Sequence, residues 1–168
     1  MVIWLVGMYA SGKSTLAEEI KIIIEKKHDN VLVLNGGSIR KILGNDLSYS
    51  LEDRRRNADR VSRICHYLNE QGMIVICSVL SLFEETRQWN RDNIENYYEI
   101  YLDVSMRQLL TRDHKNLYRK ALNENTNDVV GVDIEFIRPQ NPDLILDNNK
   151  NRKSLSSMAQ KVVNLIDV

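Results

Sequence analysis

Short apolar runs alternate with amphipathic stretches along the whole chain. Five runs, at 2–6, 31–34, 73–79, 98–104 and 144–146, are rich in Val, Ile, Leu and Tyr. They are apolar almost throughout, which is typical of strands covered on both faces of a sheet. Helical periodicity predicts helices over roughly 13–27, 52–71, 84–95, 106–123 and 155–167. The alternation predicts an α/β fold with a parallel five-stranded sheet flanked by helices on both faces.

The chain of 168 residues has the length of one domain, which we take as 1–168. The segment 123–141 is polar and irregular, and Pro139 and Pro142 mark its end. A loop that long in a compact domain is usually a lid or a binding loop. The last predicted helix has one apolar face, so we expect it to dock on the core without a chemical role.

The charges balance, with 23 Lys and Arg against 23 Asp and Glu. A chain without net charge has no general attraction for nucleic acid polymers or anionic membranes, so neither is an expected partner. No apolar run reaches the ~18 residues of a membrane span, and the first residues lack signal-peptide features. Cys65 and Cys77 lie in apolar segments, where we expect buried free thiols and a cytoplasmic location.

A glycine-rich loop follows the first predicted strand. Residues 7–14 match G-x-x-x-x-G-K-[ST], with a strand before and a helix after. In such a loop, backbone N–H groups cradle phosphates, the lysine reaches the β- and γ-phosphates, and the final hydroxyl binds Mg²⁺. The sequence therefore predicts a P-loop NTPase that uses ATP and Mg²⁺, with Lys13 as a catalytic residue and Ser14 as the metal ligand. The predicted ATP-binding residues are Gly7, Met8, Tyr9, Ala10, Ser11, Gly12, Lys13, Ser14 and Thr15.

The helix predicted over 52–71 carries a polar pair on its apolar stripe. Ser50 is the expected N-cap and Gly72 the expected stop. Arg54 and Asn57 fall within the stripe, and burying a guanidinium is costly unless it meets an anion. Two interpretations follow: a structural salt bridge to a local carboxylate, or a position in a substrate cleft.

Three further motifs resemble the adenylyl-sulfate kinase family, in the family's order and spacing. Residues 49–57, YSLEDRRRN, are similar to F-S-x-x-D-R-x-x-N, and residues 112–121 are similar to R-D-x-K-G-L-Y-x-K-A. Residues 138–144 look like A-P-x-N-P-E-L. The resemblance extends to about residue 147 and implies a P-loop kinase with a lid that phosphorylates the ribose 3′-hydroxyl of a nucleotide. It also implies a homodimer.

The resemblance implies roles for individual residues. Ser81 aligns with a serine that is a phosphoserine position in the family, and is a second candidate catalytic residue; the alternative is an ordinary hydroxyl at the end of a strand. Lys115 would lie on the lid, together with Lys120. Arg112 would contact ATP, and the acceptor would be held by Asn35, Arg40, Tyr49, Arg54, Asn57, Lys115 and Val130.

The departures from the family pattern lie on the acceptor side. The family's D-G-D-x-x-R is N-G-G-S-I-R at 35–40, so two aspartates are missing. At 129–132 the family's F-T-G-[IV] is V-V-G-V, which leaves Tyr49 as the predicted stacking platform for the base. The first hypothesis is therefore a kinase for cytidine diphosphoramidate, as in capsule phosphoramidate biosynthesis. The alternatives are adenylyl sulfate, another nucleotide or small hydroxyl acceptor, and a non-catalytic ATP-binding module.

Overall fold

Five parallel strands form one sheet at the centre of the molecule. The computed structural model describes residues 1–124, 127–149 and 155–167. The spatial order of the strands is β2-β3-β1-β4-β5. Their bounds are β1 Val2–Val6, β2 Val31–Asn35, β3 Ile74–Val79, β4 Tyr97–Asp103 and β5 Leu144–Asp147.

Helices connect the strands and cover both faces of the sheet. The helices among the described residues are α1 Lys13–Ile24, α2 Gly36–Ile42, α3 Leu51–Glu70, α4 Glu84–Asn93, α5 Met106–Thr111, α6 Leu117–Glu124 and α7 Leu155–Ile166. None of the helices in these ranges is both long and apolar enough to cross a bilayer. The predicted α/β fold with a parallel five-stranded sheet is confirmed.

The central strand divides the core into two layers. Ile3 and Leu5 pack toward α1 and α7. Val2, Trp4 and Val6 alternate with them and pack toward α3. All five side chains of β1 are buried, as expected for a strand enclosed on both faces. Both cysteines are buried free thiols, as the sequence predicted.

The parallel register brings the carboxyl ends of the strands to one edge. Val6 at the end of β1 pairs with Val79 of β3 on one side and with Tyr101 of β4 on the other. Asn35 at the end of β2 pairs with Ser78 of β3. Residues just beyond these ends meet in space, which is where ligands bind in open α/β sheets.

The caps predicted for α3 are confirmed. The Ser50 side chain accepts a hydrogen bond from the backbone N–H of Asp53 at 3.3 Å. Gly72 follows the helix with a φ of +77°, a left-handed conformation that glycine adopts without strain.

The helices differ from the sequence predictions at two places. α2 was not predicted, because it begins with Gly36 and Gly37, which disfavour a helix interior. It forms because Asn35 caps it, with its Oδ1 accepting from the Ser38 N–H at 2.8 Å. The helix predicted over 106–123 is two helices, since the Asp113 carboxylate accepts from three backbone N–H groups that open α6: those of Leu117, Tyr118 and Arg119.

Candidate active site at the carboxyl edge of the sheet

The phosphate loop leaves β1 and turns directly into α1. Three of its residues have positive φ: Gly7 at +155°, Ala10 at +64° and Gly12 at +99°. A Cβ on Gly7 would lie 2.9 Å from the Ser11 Oγ, and one on Gly12 would lie 2.8 Å from the Asn148 Nδ2. The positive φ and the limited room for a Cβ together favour glycine at both positions, as the motif implies. The first turn of α1 carries no acidic residue, so its N-terminus can hold an anion.

Lys13 folds back over the loop. Its Nζ donates to the Met8 carbonyl oxygen at 2.7 Å and to the Ser11 Oγ at 3.3 Å. Desolvation of the ammonium lowers the pKa of Lys13 to about 7. A phosphate group between the loop and Lys13 would place a negative charge beside the amine and favour its protonated form.

One cavity is lined by loop residues, and we name it the nucleotide cavity after the predicted ATP-binding residues among them; it encloses about 260 Å³. Of the residues predicted to bind ATP, its lining includes Tyr9, Ala10, Gly12, Lys13, Ser14, Thr15 and Arg112. Gly7 and Ser11 shape the loop without lining the cavity, and Met8 packs in a hydrophobic cluster against Tyr9 and Tyr118. The motif thus brings most of the predicted ATP residues to one cavity.

A second cavity, which we name the acceptor cavity after the predicted acceptor residues that line it, encloses about 280 Å³. It shares Tyr9, Lys13 and Ser14 with the nucleotide cavity. The exposed Ser14 hydroxyl stands at the junction of the two. Of the predicted acceptor residues and Ser81, this cavity is lined by Asn35, Arg40, Tyr49, Arg54, Asn57 and Ser81.

Two arginines flank the ring of Tyr49. The Arg40 and Arg54 guanidinium carbons lie 4.8 and 5.4 Å from the ring centroid. Arg40 donates to the carbonyl oxygens of Leu47 and Ser48, at 3.0 and 2.7 Å. These bonds fix the segment that carries Tyr49, whose ring remains 59% exposed. An aromatic ring held open in this way can stack on a planar ligand.

Arg54 bridges two chain segments. Its Nε donates to the Tyr49 carbonyl oxygen at 2.8 Å, and a terminal nitrogen donates to the Asp128 carbonyl oxygen at 2.7 Å. Burial, and then the charge of Arg40, lower the pKa of Arg54. The cleft interpretation of the sequence therefore fits the geometry, since the guanidinium lines the acceptor cavity and bonds to main-chain oxygens.

In the described part of the chain, two amide side chains line the same cavity, one with an unpaired oxygen and the other with its oxygen already hydrogen-bonded. Asn57 is 8% exposed, and its Oδ1 has no hydrogen-bond partner among the described residues. A buried acceptor without a partner costs free energy, so this oxygen is ready for a ligand donor. The Oδ1 of Asn35 is already bound to the N–H of Ser38, and its side-chain nitrogen is the group left for a ligand.

Two predicted acceptor residues lie apart from the cavity. Lys115 is exposed between α5 and α6 and lines neither cavity. Val130 is 5% exposed in the loop after α6 and also lines neither cavity. Lys120 is exposed on α6. The roles of Lys115 and Val130 stay predictions.

The segment after β4 contacts the phosphate loop through Tyr118. This side chain is fully buried, and its hydroxyl donates to the Tyr9 carbonyl oxygen at 2.8 Å. The two tyrosine rings also contact each other, with centroids 5.8 Å apart. The motif at 112–121 thus supports the loop through Tyr118 and through the Asp113 cap of α6.

Several site residues were missed by the sequence analysis. Asn148, just after β5, is 2% exposed, and its Nδ2 donates to the Ser11 carbonyl oxygen at 2.8 Å. Phe83 and Trp4 line the acceptor cavity, and His114 lines the nucleotide cavity. A polar residue directly after the last strand was the available signal for Asn148, because that position lies at the carboxyl edge of the sheet.

Comparison with known proteins identifies the family. The family model for adenylylsulphate kinase matches residues 1–147. The chain belongs to the adenylylsulphate kinase family. Cytidine diphosphoramidate kinase of Campylobacter jejuni is 39% identical over 162 residues, which cover 96% of this chain and 94% of that protein. The probable adenylyl-sulfate kinase of Aeropyrum pernix is 33% identical and covers 90% of this chain and 85% of that protein.

Solved structures agree with this family assignment. The Mycobacterium tuberculosis APS kinase CysC, in complex with AMPPNP and APS, has a TM-score of 0.90 and 30% identity, and covers 99% of this chain and 97% of that one. Shikimate kinase of Aquifex aeolicus, at 17% identity and a TM-score of 0.62, shares the fold. As a member of the adenylylsulphate kinase family, the chain is a kinase that transfers phosphate to a nucleotide hydroxyl.

Proposed function

We propose that this kinase phosphorylates the 3′-hydroxyl of cytidine diphosphoramidate with ATP and Mg²⁺. The observation that carries the proposal is the pair of cavities that meet at Lys13 and Ser14. Phosphoryl transfer requires donor and acceptor to approach in line, and two cavities that share Lys13 and Ser14 can bring both nucleotides to one point.

The phosphate loop supplies the donor side. Its backbone N–H groups and the start of α1 would hold the ATP phosphates, and Lys13 would move from the Met8 carbonyl to the transferred phosphoryl group. Magnesium usually keeps several waters and binds substrate phosphates with one or two protein oxygens. The exposed Ser14 hydroxyl at the cavity junction fits that donor set. When bound, Mg²⁺ neutralises charge on the phosphates.

The acceptor side is cationic. Lys13, Arg40 and Arg54 line the acceptor cavity, and the described residues of its lining include no carboxylate. The arginines would hold the acceptor phosphates, while Tyr49 would stack on the base and the Asn57 Oδ1 would accept from a ligand donor. The oxygen–phosphorus bond to the acceptor forms as the bond to ADP breaks, and the hydroxyl proton leaves to a phosphate oxygen or water. A loose transition state needs no strong base for this step.

Two observations favour the cytidine acceptor. The chain is similar to cytidine diphosphoramidate kinase over nearly the full length of both proteins. The family aspartates are replaced at Asn35 and Gly37, which line the acceptor cavity, whereas the donor loop keeps the complete motif. Adenylyl sulfate is the second candidate acceptor, because the family model and the CysC complex point to it.

A panel of acceptors at fixed ATP and Mg²⁺ tests the proposal. ADP release is measured with cytidine diphosphoramidate, CDP and adenylyl sulfate. We expect the highest kcat/KM with cytidine diphosphoramidate. A higher value with adenylyl sulfate would favour the second candidate. ATP binding without acceptor-dependent ADP from any member would contradict a kinase and indicate a nucleotide-binding module.

The proposal includes a cellular location and an oligomeric state for the enzyme. We place it in the cytoplasm, where ATP is available and buried free thiols such as Cys65 and Cys77 stay reduced. By family resemblance we propose a homodimer. Light scattering of the purified protein would measure a mass of twice 19.5 kDa.

A further inference from the structure

Ser81 stands just after β3 in an uncommon backbone conformation. Its φ is +56°, in the left-handed region that side chains other than glycine and asparagine rarely adopt. Ser81 is 8% exposed and lines the acceptor cavity. Strained residues persist where the surrounding structure holds them, and they concentrate at functional sites.

Arg87 holds the main chain of Ser81. This α4 side chain is 1% exposed, and a terminal nitrogen donates to the Ser81 carbonyl oxygen. Arg87 in turn pairs with Glu84, and its Nε lies 3.6 Å from the Glu99 carboxylate. Glu99 is 2% exposed on β4. Because Glu84 and Glu99 hold the buried Arg87 in place, its hydrogen bond restricts rotation of the Ser81 peptide.

Trp4 holds the hydroxyl. The indole Nε1 donates to the Ser81 Oγ at 2.9 Å in a buried contact from the central strand. An indole nitrogen is a donor only, whereas a hydroxyl has one donor and two acceptor positions. Trp4 therefore occupies an acceptor position of the oxygen, and the hydroxyl proton remains for a ligand.

We propose that Trp4 and Arg87 are positioning residues that present the Ser81 hydroxyl as a hydrogen-bond donor to an anionic oxygen of the acceptor nucleotide. The inference rests on the proposed function, since it requires a phosphate-bearing ligand in the acceptor cavity. The cations of that cavity, Lys13, Arg40 and Arg54, attract such a ligand. Donation to an anionic oxygen is among the stronger hydrogen bonds in proteins.

This role differs from that of a serine that carries phosphate during turnover. A nucleophilic Ser81 would lose its hydroxyl proton as its Oγ bonds to phosphorus, whereas a donor keeps that proton and directs it at the acceptor. The hydrogen bond from the Trp4 N–H draws electron density from the Oγ, which strengthens its O–H as a donor and weakens the oxygen as a nucleophile. On this proposal Ser81 stays unphosphorylated while it binds the acceptor.

Four variants test the inference in the full chain. Trp4→Phe removes the indole donor and keeps an aromatic ring, and Ser81→Ala removes the hydroxyl. The double variant combines both. The matched control is Trp89→Phe, because the only other tryptophan lies on α4 against His66 and Arg63, outside both cavities. Thermal melting confirms folding, and KM and kcat are measured for the preferred acceptor and for ATP.

We expect Ser81→Ala to raise the acceptor KM about 10- to 100-fold, as for a lost hydrogen bond to a charged group, with the ATP KM unchanged. Trp4→Phe raises it about 3- to 10-fold, and the double variant matches Ser81→Ala, because Trp4 acts through the hydroxyl. Trp89→Phe leaves both constants unchanged. Mass spectrometry after turnover finds no phosphate on Ser81.

Several results would overturn the inference. They are an unchanged acceptor KM in Ser81→Ala, additive effects in the double variant, or phosphate on Ser81 during turnover. If Trp4→Phe does not fold, Ser81→Ala decides alone by the same criterion. The wild-type protein distinguishes failure of the proposed function from failure of this inference. If the wild-type protein releases no acceptor-dependent ADP, the kinase function and this inference are both rejected. If it turns over normally and the variants are unaffected, only this inference is rejected.

Discussion

The phosphate-loop lysine makes ATP binding dependent on pH. In the free protein the pKa of Lys13 is lowered to about 7, because the ammonium is desolvated where it folds back over the loop. Bound phosphates favour the charged form, so ATP binding above this pKa requires Lys13 to take up a proton. The affinity for ATP therefore falls as the pH rises above about 7.

The magnitude follows from the protonated fraction. One pH unit above the free-state pKa costs about 1.4 kcal/mol, or tenfold in affinity, until the pKa of the complex is reached. Between pH 7.5 and 9.0, where the ATP phosphates are already ionised, the dissociation constant is expected to rise about 30-fold. Calorimetric titration with AMPPNP and Mg²⁺ measures it, in buffers with different ionisation enthalpies. Proton uptake approaching one per ATP is the expected result.

The control is Lys13→Arg, whose guanidinium remains protonated over this range. Any binding that this variant retains should vary little with pH. A wild-type dissociation constant that stays level from pH 7.5 to 9.0, without proton uptake, would refute the conclusion that Lys13 is largely neutral in the free enzyme.

The remaining predictions address other contacts of the site. Lys13→Ala should abolish turnover, and a variant that still turns over at the wild-type rate would contradict the loop assignment. Tyr49→Ala should raise the acceptor KM much more than the ATP KM, whereas the reverse pattern would mean that the two cavities are assigned to the wrong nucleotides. Arg54→Ala should cost about 2–3 kcal/mol in kcat/KM for the acceptor; a lowered Tm with intact kinetics would instead indicate a structural role. Asn148→Ala should raise the ATP KM about tenfold through the lost bond to the loop, and Asn148→Gln should not fully restore it, since the added methylene moves the amide nitrogen from its place between Gly12 and the Ser11 carbonyl oxygen.

The donor side was predictable because its residues are consecutive in the sequence. Residues 7–14 carry the glycines, the lysine and the hydroxyl in one stretch, and the strand and helix on either side fix their geometry. The acceptor side depends on contacts that periodicity does not reveal. Arg40 bonds to Leu47 and Ser48 in an irregular segment. Arg54 bonds to the Asp128 carbonyl oxygen, 74 positions away. The family resemblance supplied the two arginines.

Other features had weak signals. Asn148 follows a strand of four residues, and its contact with Ser11 spans 137 positions. Trp4 was predicted as an ordinary strand residue, and its hydrogen bond depends on the left-handed turn at Ser81. Such turns at a residue other than glycine leave little trace in a sequence, since they are imposed by tertiary contacts.

The helix cap at Asn35 has a consequence for how this acceptor site can change. Asparagine and aspartate cap helices about equally well, so the exchange that removes the family's carboxylate keeps the start of α2 intact. The position thus tolerates either residue in the fold while altering the charge of the cavity it lines. An amide–carboxylate substitution at this position can change the charge of the cavity without first requiring a stabilising mutation elsewhere.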